Sequence, residues 1–270
     1  MDANRYLTGV WVRAARRFHR RAAAPLLWCL LPSDCFACRR PLRGWQRLGA
    51  CLSCWTSFRT LEPPLCPGCG LPRPPGTDLM GPAGGRCSSC VLRPPPGGPV
   101  RAAVPYDEHA RAFLLRAKLG RRPELLEPLG EHLATVLERD GFAGAGFSVV
   151  PVPSHPWTGL RRGFHPAVEI ARPVARRLAL ALDLGLLARG WARHAPVKGL
   201  TAAGRRRQVA RAFRVRGSAA GRRLVLVDDV MTTGATAGAC AAVLLGAGAV
   251  EVRIASWART LPSAGPIPRL

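Results

Sequence analysis

Eight of the ten cysteines stand in four Cys-x-x-Cys pairs: Cys35/Cys38, Cys51/Cys54, Cys66/Cys69 and Cys87/Cys90. Each such turn aims two thiolates at one centre, and two turns complete a tetrahedral S4 site for Zn2+. The first two pairs are twelve residues apart, Arg39 to Ala50, and the second two are seventeen apart, Gly70 to Arg86. Both gaps suit a zinc ribbon. Sequential pairing puts one structural zinc on Cys35, Cys38, Cys51 and Cys54, and another on Cys66, Cys69, Cys87 and Cys90. Interleaved pairing, first pair with third, stays open. A redox role needs one pair opening a helix in a βαβ context, and no strand pattern precedes these pairs. Metal also supplies stability that a short, Pro-rich segment cannot draw from a core of its own. Residues 29–93 are therefore read as a double zinc ribbon. It either braces the rest of the chain or meets nucleic acid through Arg39, Arg40, Arg43, Arg47 and Trp45 or Trp55. Cys29 and Cys240 stand alone in apolar helical contexts and read as small buried side chains.

Two segments flank the ribbon. Residues 1–28 carry a basic stretch, Arg13 to Arg21, ahead of the apolar Ala22 to Leu31. Pro25 interrupts that apolar run and no small-x-small cleavage site follows. It is read as an amphipathic basic helix docked on the protein, in the cytoplasm, rather than as a secretory signal. No run is long enough for a membrane span. On the other side, Pro94-Pro95-Pro96-Gly97-Gly98-Pro99 reads as a stiff linker before a larger unit over 100–270.

That unit alternates strand and helix patterns. Val100 to Tyr106 reads as a strand, followed by helices over His109 to Leu119 and Glu124 to Glu138. Phe147 to Val150 is the next strand and runs into Pro151-Val152-Pro153-Ser154-His155, a rigid extended loop. A helix over Pro166 to Leu180 should kink or break at Pro173, because an internal proline costs about 3 kcal/mol. Leu224 to Val227 is an apolar run suited to a buried parallel strand. Asp228 and Asp229 follow it, then Met231-Thr232-Thr233-Gly234-Ala235-Thr236 and an Ala-rich helix, Ala237 to Leu245. Backbone N–H groups and hydroxyls of such a loop wrap a phosphate, aided by the positive end of the helix. Two carboxylates would repel that phosphate, so they suit vicinal sugar hydroxyls or a hydrated Mg2+ beyond it. Val250 to Ala255 is the closing strand.

Net charge is +24 with a pI near 11.5, and only Lys118 and Lys198 among forty basic residues are lysines. The balance implies an anionic partner, either nucleic acid or a diphosphate. Thr201 to Arg223 holds eight arginines and no acid, so a loop containing Arg205 and Arg206 is read as an anion clamp that excludes water.

Together these stretches resemble the ComF/GntX-like phosphoribosyltransferase family, over about residues 24 to 259. The resemblance is carried by the ribbon spacing, Val150 to Pro153, Arg162-Gly163-Phe164 and Val225 to Thr236. Departures fall at His165-Pro166, where the family usually has Asn-Gln, and at Lys198 and Gln208 in the next loop. The resemblance implies an α/β fold: a mostly parallel five-stranded sheet of the type I phosphoribosyltransferase kind, flanked by helices, with the ribbon at its N-terminal side. It implies phosphoribosyl diphosphate as ligand, with Mg2+. Met231, Thr232, Thr233, Gly234, Ala235 and Thr236 would hold the 5′-phosphate, and Asp228 and Asp229, the catalytic pair, the ribose. Pro153, Ser154, Arg205 and Arg206 would take the diphosphate, with His155, Arg161 and Arg162 as further candidates to grip it. The ribbon and N-terminal helix are expected to form a hood over this site. Two functions follow from the resemblance: a phosphoribosyltransferase of unknown acceptor, or a non-catalytic accessory in single-stranded DNA uptake. The second needs a separate ATPase, since no GxxxxGK[ST] loop is present.

Overall fold

Aliphatic runs bounded by Gly and Pro build the central sheet, and the helices between them follow 3.6-residue apolar spacing. In the computed structural model, which describes residues 33–35, 38–42, 50–73, 85–95, 97–190 and 212–262, the ribbon comes first. It comprises β1 (Ser33–Asp34), β2 (Pro41–Leu42), α1 (Leu52–Thr56) and α2 (Ser88–Leu92). β1 and β2 pair antiparallel. Next come β3 (Val100–Pro105), α3 (Glu108–Leu119), α4 (Leu126–Arg139) and β4 (Phe147–Pro151). α5 (Pro156–Arg162), α6 (Pro166–Arg177), β5 (Ala181–Leu182), β6 (Leu187–Arg189) and β7 (Phe213–Val215) follow. β8 (Arg223–Met231), α7 (Ala235–Gly246) and β9 (Glu251–Arg259) complete the order.

The main sheet runs β3-β9-β8-β4-β5 and every pairing in it is parallel. β8 lies at its centre, and Leu224 to Val227 are fully buried. One face packs on α3, α4 and α6 through Phe113, Leu129, Leu133, Ile170 and Trp257, and the other packs on α7 through Leu226, Cys240 and Leu244. Burial of that kind contributes about 25 cal/mol per Å2 of apolar surface. Cys240 is the small buried apolar side chain expected of it; Cys29 lies outside the described residues. No helix among the described residues is long and apolar enough to cross a membrane.

α6 does not break at Pro173 but continues through it as one helix. The Pro173 ring and the neighbouring carbonyl of Ile170 lie so close to α4 that a Cβ on Gly130 would run into both. Pro173 cannot donate an intrahelical hydrogen bond, and its buried ring packs against α4 at Gly130. β8 also runs four residues further than the apolar pattern showed, because Asp228, Val230 and Met231 keep pairing with β9. The closing strand likewise extends to Arg259.

The ribbon covers the free edge of β3, a common protection for an exposed strand edge. Leu61 N–H donates to the Ala103 carbonyl (2.8 Å), and Val100 N–H donates to the Gly68 carbonyl (2.8 Å). Trp55 and Phe58 pack on Phe113 at ring separations of 4.7 and 5.2 Å, and Phe58 meets Trp257 edge-on at 5.0 Å. Arg259 donates to the Cys69 carbonyl. The described ribbon residues are thus footed on β3, α3 and β9. Residues 1–32, 43–49 and 74–84, which would complete the expected hood and hold the N-terminal helix, lie outside the described residues, as do Arg205 and Arg206.

Candidate functional site

At the centre of the sheet, β8 delivers Asp228 and Asp229 to its carboxyl end before the chain turns at Gly234. That glycine adopts φ +74°, a left-handed conformation natural to glycine, and caps the start of α7. Thr233 Oγ1 accepts from Ala235 N–H at 3.3 Å, while Thr232, Thr233, Ala235 and Thr236 face solvent and Met231 is buried beneath them. The loop therefore presents hydroxyls and backbone N–H groups at the N-terminus of a twelve-residue helix.

Beside it, β4 ends at Pro151, and Val152 N–H donates to the Val227 carbonyl at 2.8 Å. This bond holds the Pro153–Ser154 loop next to β8. Ser154 Oγ lies 2.5 Å from His165 Nδ1. His165, the departure from the usual Asn, caps α6 and lays its ring over Gly159, where a Cβ would collide with it. The hydroxyl of Ser154 is thus oriented by a ring that a neighbouring glycine makes room for.

The third wall comes from α3. Asp107 caps its start, its side chain accepting from Ala110 N–H at 2.9 Å. Its last turn carries Lys118, which forms an ion pair with Asp229. Both side chains are largely buried, 20% and 15% exposed. Asp228 accepts from the Asp229 N–H at 2.9 Å. Loss of water around Asp228, and the negative charge of Asp229 beside it, hold its carboxyl well above the usual carboxylate range. Asp228 thus holds a proton more tightly than a free carboxyl does, and Asp229 is paired with a lysine. A protonated carboxyl donates as well as accepts, which suits sugar hydroxyls.

A cleft of about 340 Å3 opens where the end of α3 meets α5, lined by Lys118, Leu119, Arg121, Trp157, Thr158, Arg161 and Arg162. Arg161 and Arg162 were anticipated from their place after the Ser154 loop. Arg121 and Trp157 were not. The available signal was an aromatic one helical turn before an arginine pair, a stacking surface with cations on the same helix. β6 and β7 pair antiparallel on either side of residues 191–211, joined by Gly190 N–H to the Ala212 carbonyl at 2.8 Å.

The four cysteine pairs gather sequentially, not interleaved. Within Cys35, Cys38, Cys51 and Cys54, and within Cys66, Cys69, Cys87 and Cys90, the four sulfurs lie within 4.8 Å of one another. Cys38 Sγ to Cys51 Sγ and Cys69 Sγ to Cys87 Sγ are both 3.7 Å, matching the edge of about 3.8 Å of a tetrahedron with Zn–S bonds of about 2.3 Å. Backbone N–H groups of Cys51 and Cys87 point at Cys35 Sγ and Cys66 Sγ, each at 3.3 Å. Burial pushes the Cys66 thiol up, but N–H groups of Cys69, Cys87 and Gly68 outweigh it and draw it down to about 6. Both centres fit Zn2+.

Comparison with known proteins agrees with this division. The double zinc ribbon domain family matches residues 26–91. DNA utilization protein YhgH of Escherichia coli K12 is 32% identical over 234 residues, covering 86% of this chain and 99% of that protein. The Salmonella typhi YhgH is 31% identical over the same shares. The chain belongs to the ComF/GntX-like family. Its main sheet is parallel throughout, with helices on both faces. Among solved structures, glutamine phosphoribosylpyrophosphate amidotransferase from B. subtilis is 23% identical, with a TM-score of 0.35 over 48% of this chain and 25% of that one.

Proposed function

We propose that this family member binds phosphoribosyl diphosphate at the carboxyl ends of β8 and β4. The observation that carries the reading is the Asp228–Asp229 pair, placed at a strand end immediately before a left-handed glycine and the start of a twelve-residue helix. Residues Met231 to Thr236 take the 5′-phosphate through hydroxyls and N–H groups. Asp228 and Asp229 take the ribose hydroxyls. Pro153 and Ser154 take the diphosphate with Arg205 and Arg206, which lie in the sequence between β6 and β7.

Mg2+ fits this scheme as a partner of the diphosphate. Asp229 is paired with Lys118 and the Asp228 carboxyl is raised by burial, so the pair suits hydroxyls better than a bare cation. Bound there, the ion would neutralise the leaving diphosphate. The chain's own share is positional: the acids fix the ribose, the loop fixes the phosphate, and the arginines exclude water around the departing charge. A nitrogen acceptor attacking the anomeric carbon as diphosphate leaves would complete a phosphoribosyl transfer through an oxocarbenium-like ribose.

Calorimetry with phosphoribosyl diphosphate and Mg2+ tests this. Micromolar binding that Asp229→Ala weakens at least tenfold is expected, and no binding by the wild-type protein would refute it. A second reading rests on the relatives' role in DNA utilization and on the basic cleft beside Lys118. In it, the same ligand regulates an accessory of single-stranded DNA uptake that works with a separate ATPase. Binding without diphosphate release across a panel of nitrogen bases would favour this second reading.

A further inference from the structure

Arg259 ends β9 with its backbone held on both sides. Its carbonyl accepts from Tyr106 N–H at 2.6 Å, and the next N–H, of Thr260, donates to the Met231 carbonyl at 3.0 Å. The sheet thereby delivers a guanidinium to the ribbon, where Nη1 donates to the carbonyl of Cys69. Its Nε is buried and has no hydrogen-bond partner among the described residues. Among those residues it also pairs with no carboxylate. Arg101, which donates to the Pro67 carbonyl of the same ribbon at 3.4 Å, is paired with Asp140 at 3.2 Å.

An arginine withdrawn from water without a carboxylate is costly unless another anion compensates it. That anion is the second cysteine cluster. Burial lowers Arg259 below the usual arginine range, and the negative charges of Cys69, Cys90, Cys66 and Cys87 oppose the lowering. A zinc ion held by four thiolates keeps two uncompensated negative charges, so the need is mutual. We infer that Arg259 is the built-in countercharge of the second zinc centre, and that this centre retains its metal while the first exchanges it. Among the described residues the first centre lacks such a group. Its neighbours Arg39 and Arg40 are exposed, as is Cys38 itself, and Cys51 Sγ lies 3.1 Å from the neutral Ser53 Oγ. In the second centre Cys66, Cys69 and Cys90 are buried and Cys87 is half-buried. A fixed cation favours the thiolate, the form that binds metal, over the thiol.

The test uses full-length, zinc-loaded protein incubated with a zinc chelator and N-ethylmaleimide at fixed pH. Peptide mass spectrometry then times the alkylation of each cysteine set. In the wild type, Cys35, Cys38, Cys51 and Cys54 are expected to react about tenfold or more ahead of Cys66, Cys69, Cys87 and Cys90. Equal rates, or the reverse order, overturn the inference without any variant. Arg259→Gln keeps a donor for the Cys69 carbonyl but removes the charge. It should speed alkylation of the second set about 10–100-fold, the usual effect of losing an outer partner of a metal ligand, and leave the first set unchanged. Arg259→Lys, which keeps the charge without the planar fork, should recover most of the retention. A lysine variant as fast as the glutamine one, a second set unmoved by Arg259→Gln, or equal acceleration of both sets would each refute the countercharge role.

Discussion

Lys118, in the last turn of α3, is ion-paired with Asp229, the last acid of β8. The contact joins the edge-strand side of the molecule, where the first ribbon docks on α3, to the acid pair at the sheet's centre. It also distinguishes the two acids: Asp229 is paired with a lysine, and the Asp228 carboxyl is held above the usual carboxylate range by burial and by Asp229. Removing the lysine leaves Asp229 charged beside Asp228 with no partner, and truncating one partner of a desolvated pair costs more than the pair contributes. Lys118→Ala is expected to weaken phosphoribosyl diphosphate binding about tenfold by calorimetry. Lys118→Arg should recover part of it.

Asp228 gives a pH-dependent prediction. Its carboxyl is raised by loss of water and then by Asp229, so the folded state holds a proton that the unfolded chain releases. The contribution to stability is full below the unfolded value of about 3.9 and is lost as pH rises through the folded value. Asp228→Asn, neutral at every pH, should raise Tm at neutral pH by a few degrees, about 2–4 °C per kcal/mol. The gain should vanish near pH 3–4. The same variant should lose ligand affinity; a lower Tm at pH 7 would refute the assignment.

His132 titrates the other way. It is 1% exposed on α4, its Nε2 lies 3.2 Å from Thr60 Oγ1 of the ribbon, and burial followed by the charge of Arg139 lowers it to about 4. A His depressed from 6.5 to about 4 contributes stability above pH 6.5 that is lost as pH falls toward 4. That corresponds to about 3 kcal/mol. Denaturant titrations at pH 7 and pH 4.5 should show that loss in the wild type and a flatter profile in His132→Gln.

Gly130 sits inside α4, where exchange for Ala would ordinarily stabilise by about 1 kcal/mol. Here the new methyl would meet the Pro173 ring and the Ile170 carbonyl. Gly130→Ala is therefore expected to destabilise by about 1–3 kcal/mol, the range for overpacking, measured by urea unfolding. An increase in stability would show that the α4–α6 contact is loose.

Zinc should be counted and removed. Atomic absorption is expected to find two ions per chain. Because Cys54, Trp55 and Phe58 share one core with Phe113 and Trp257, chelation or Cys54→Ser should lower the main unfolding transition. An independent low-temperature step with the main transition unchanged would show that the ribbon is only tethered.

The zinc ligands and the succession of strand, acid pair, glycine turn and helix were legible in the sequence because each is local. A Cys-x-x-Cys turn is built from four successive residues, and a strand, an acid pair and a glycine turn follow one another without a gap. The existence of β3, β4, β8 and β9 was legible for the same reason, through apolar runs closed by Gly and Pro. Their ends were not. Asp228 and Met231 read as loop residues because polarity marks a strand end, yet pairing with β9 keeps them extended. Pro173 read as a kink or break because the rule concerns an isolated helix, whereas its ring here packs against Gly130 of a neighbouring helix.

Pairing of the cysteines was open in the sequence and was decided by which turns lie together in space. So were the partners that give the site its chemistry. Lys118 is 111 positions from Asp229 in the chain, and Trp157 and Arg121 lie on different elements. Spacing along a chain reports neighbours within one helix or strand, and long-range encounters depend on how elements pack. The sequence by itself determined the zinc-ligand set and the order of strand, acid pair and glycine turn, because each is local; the tertiary structure decided which acid pairs with Lys118, which hydroxyl lies against His165, and where the arginines gather beside an exposed indole, because those depend on how distant elements pack.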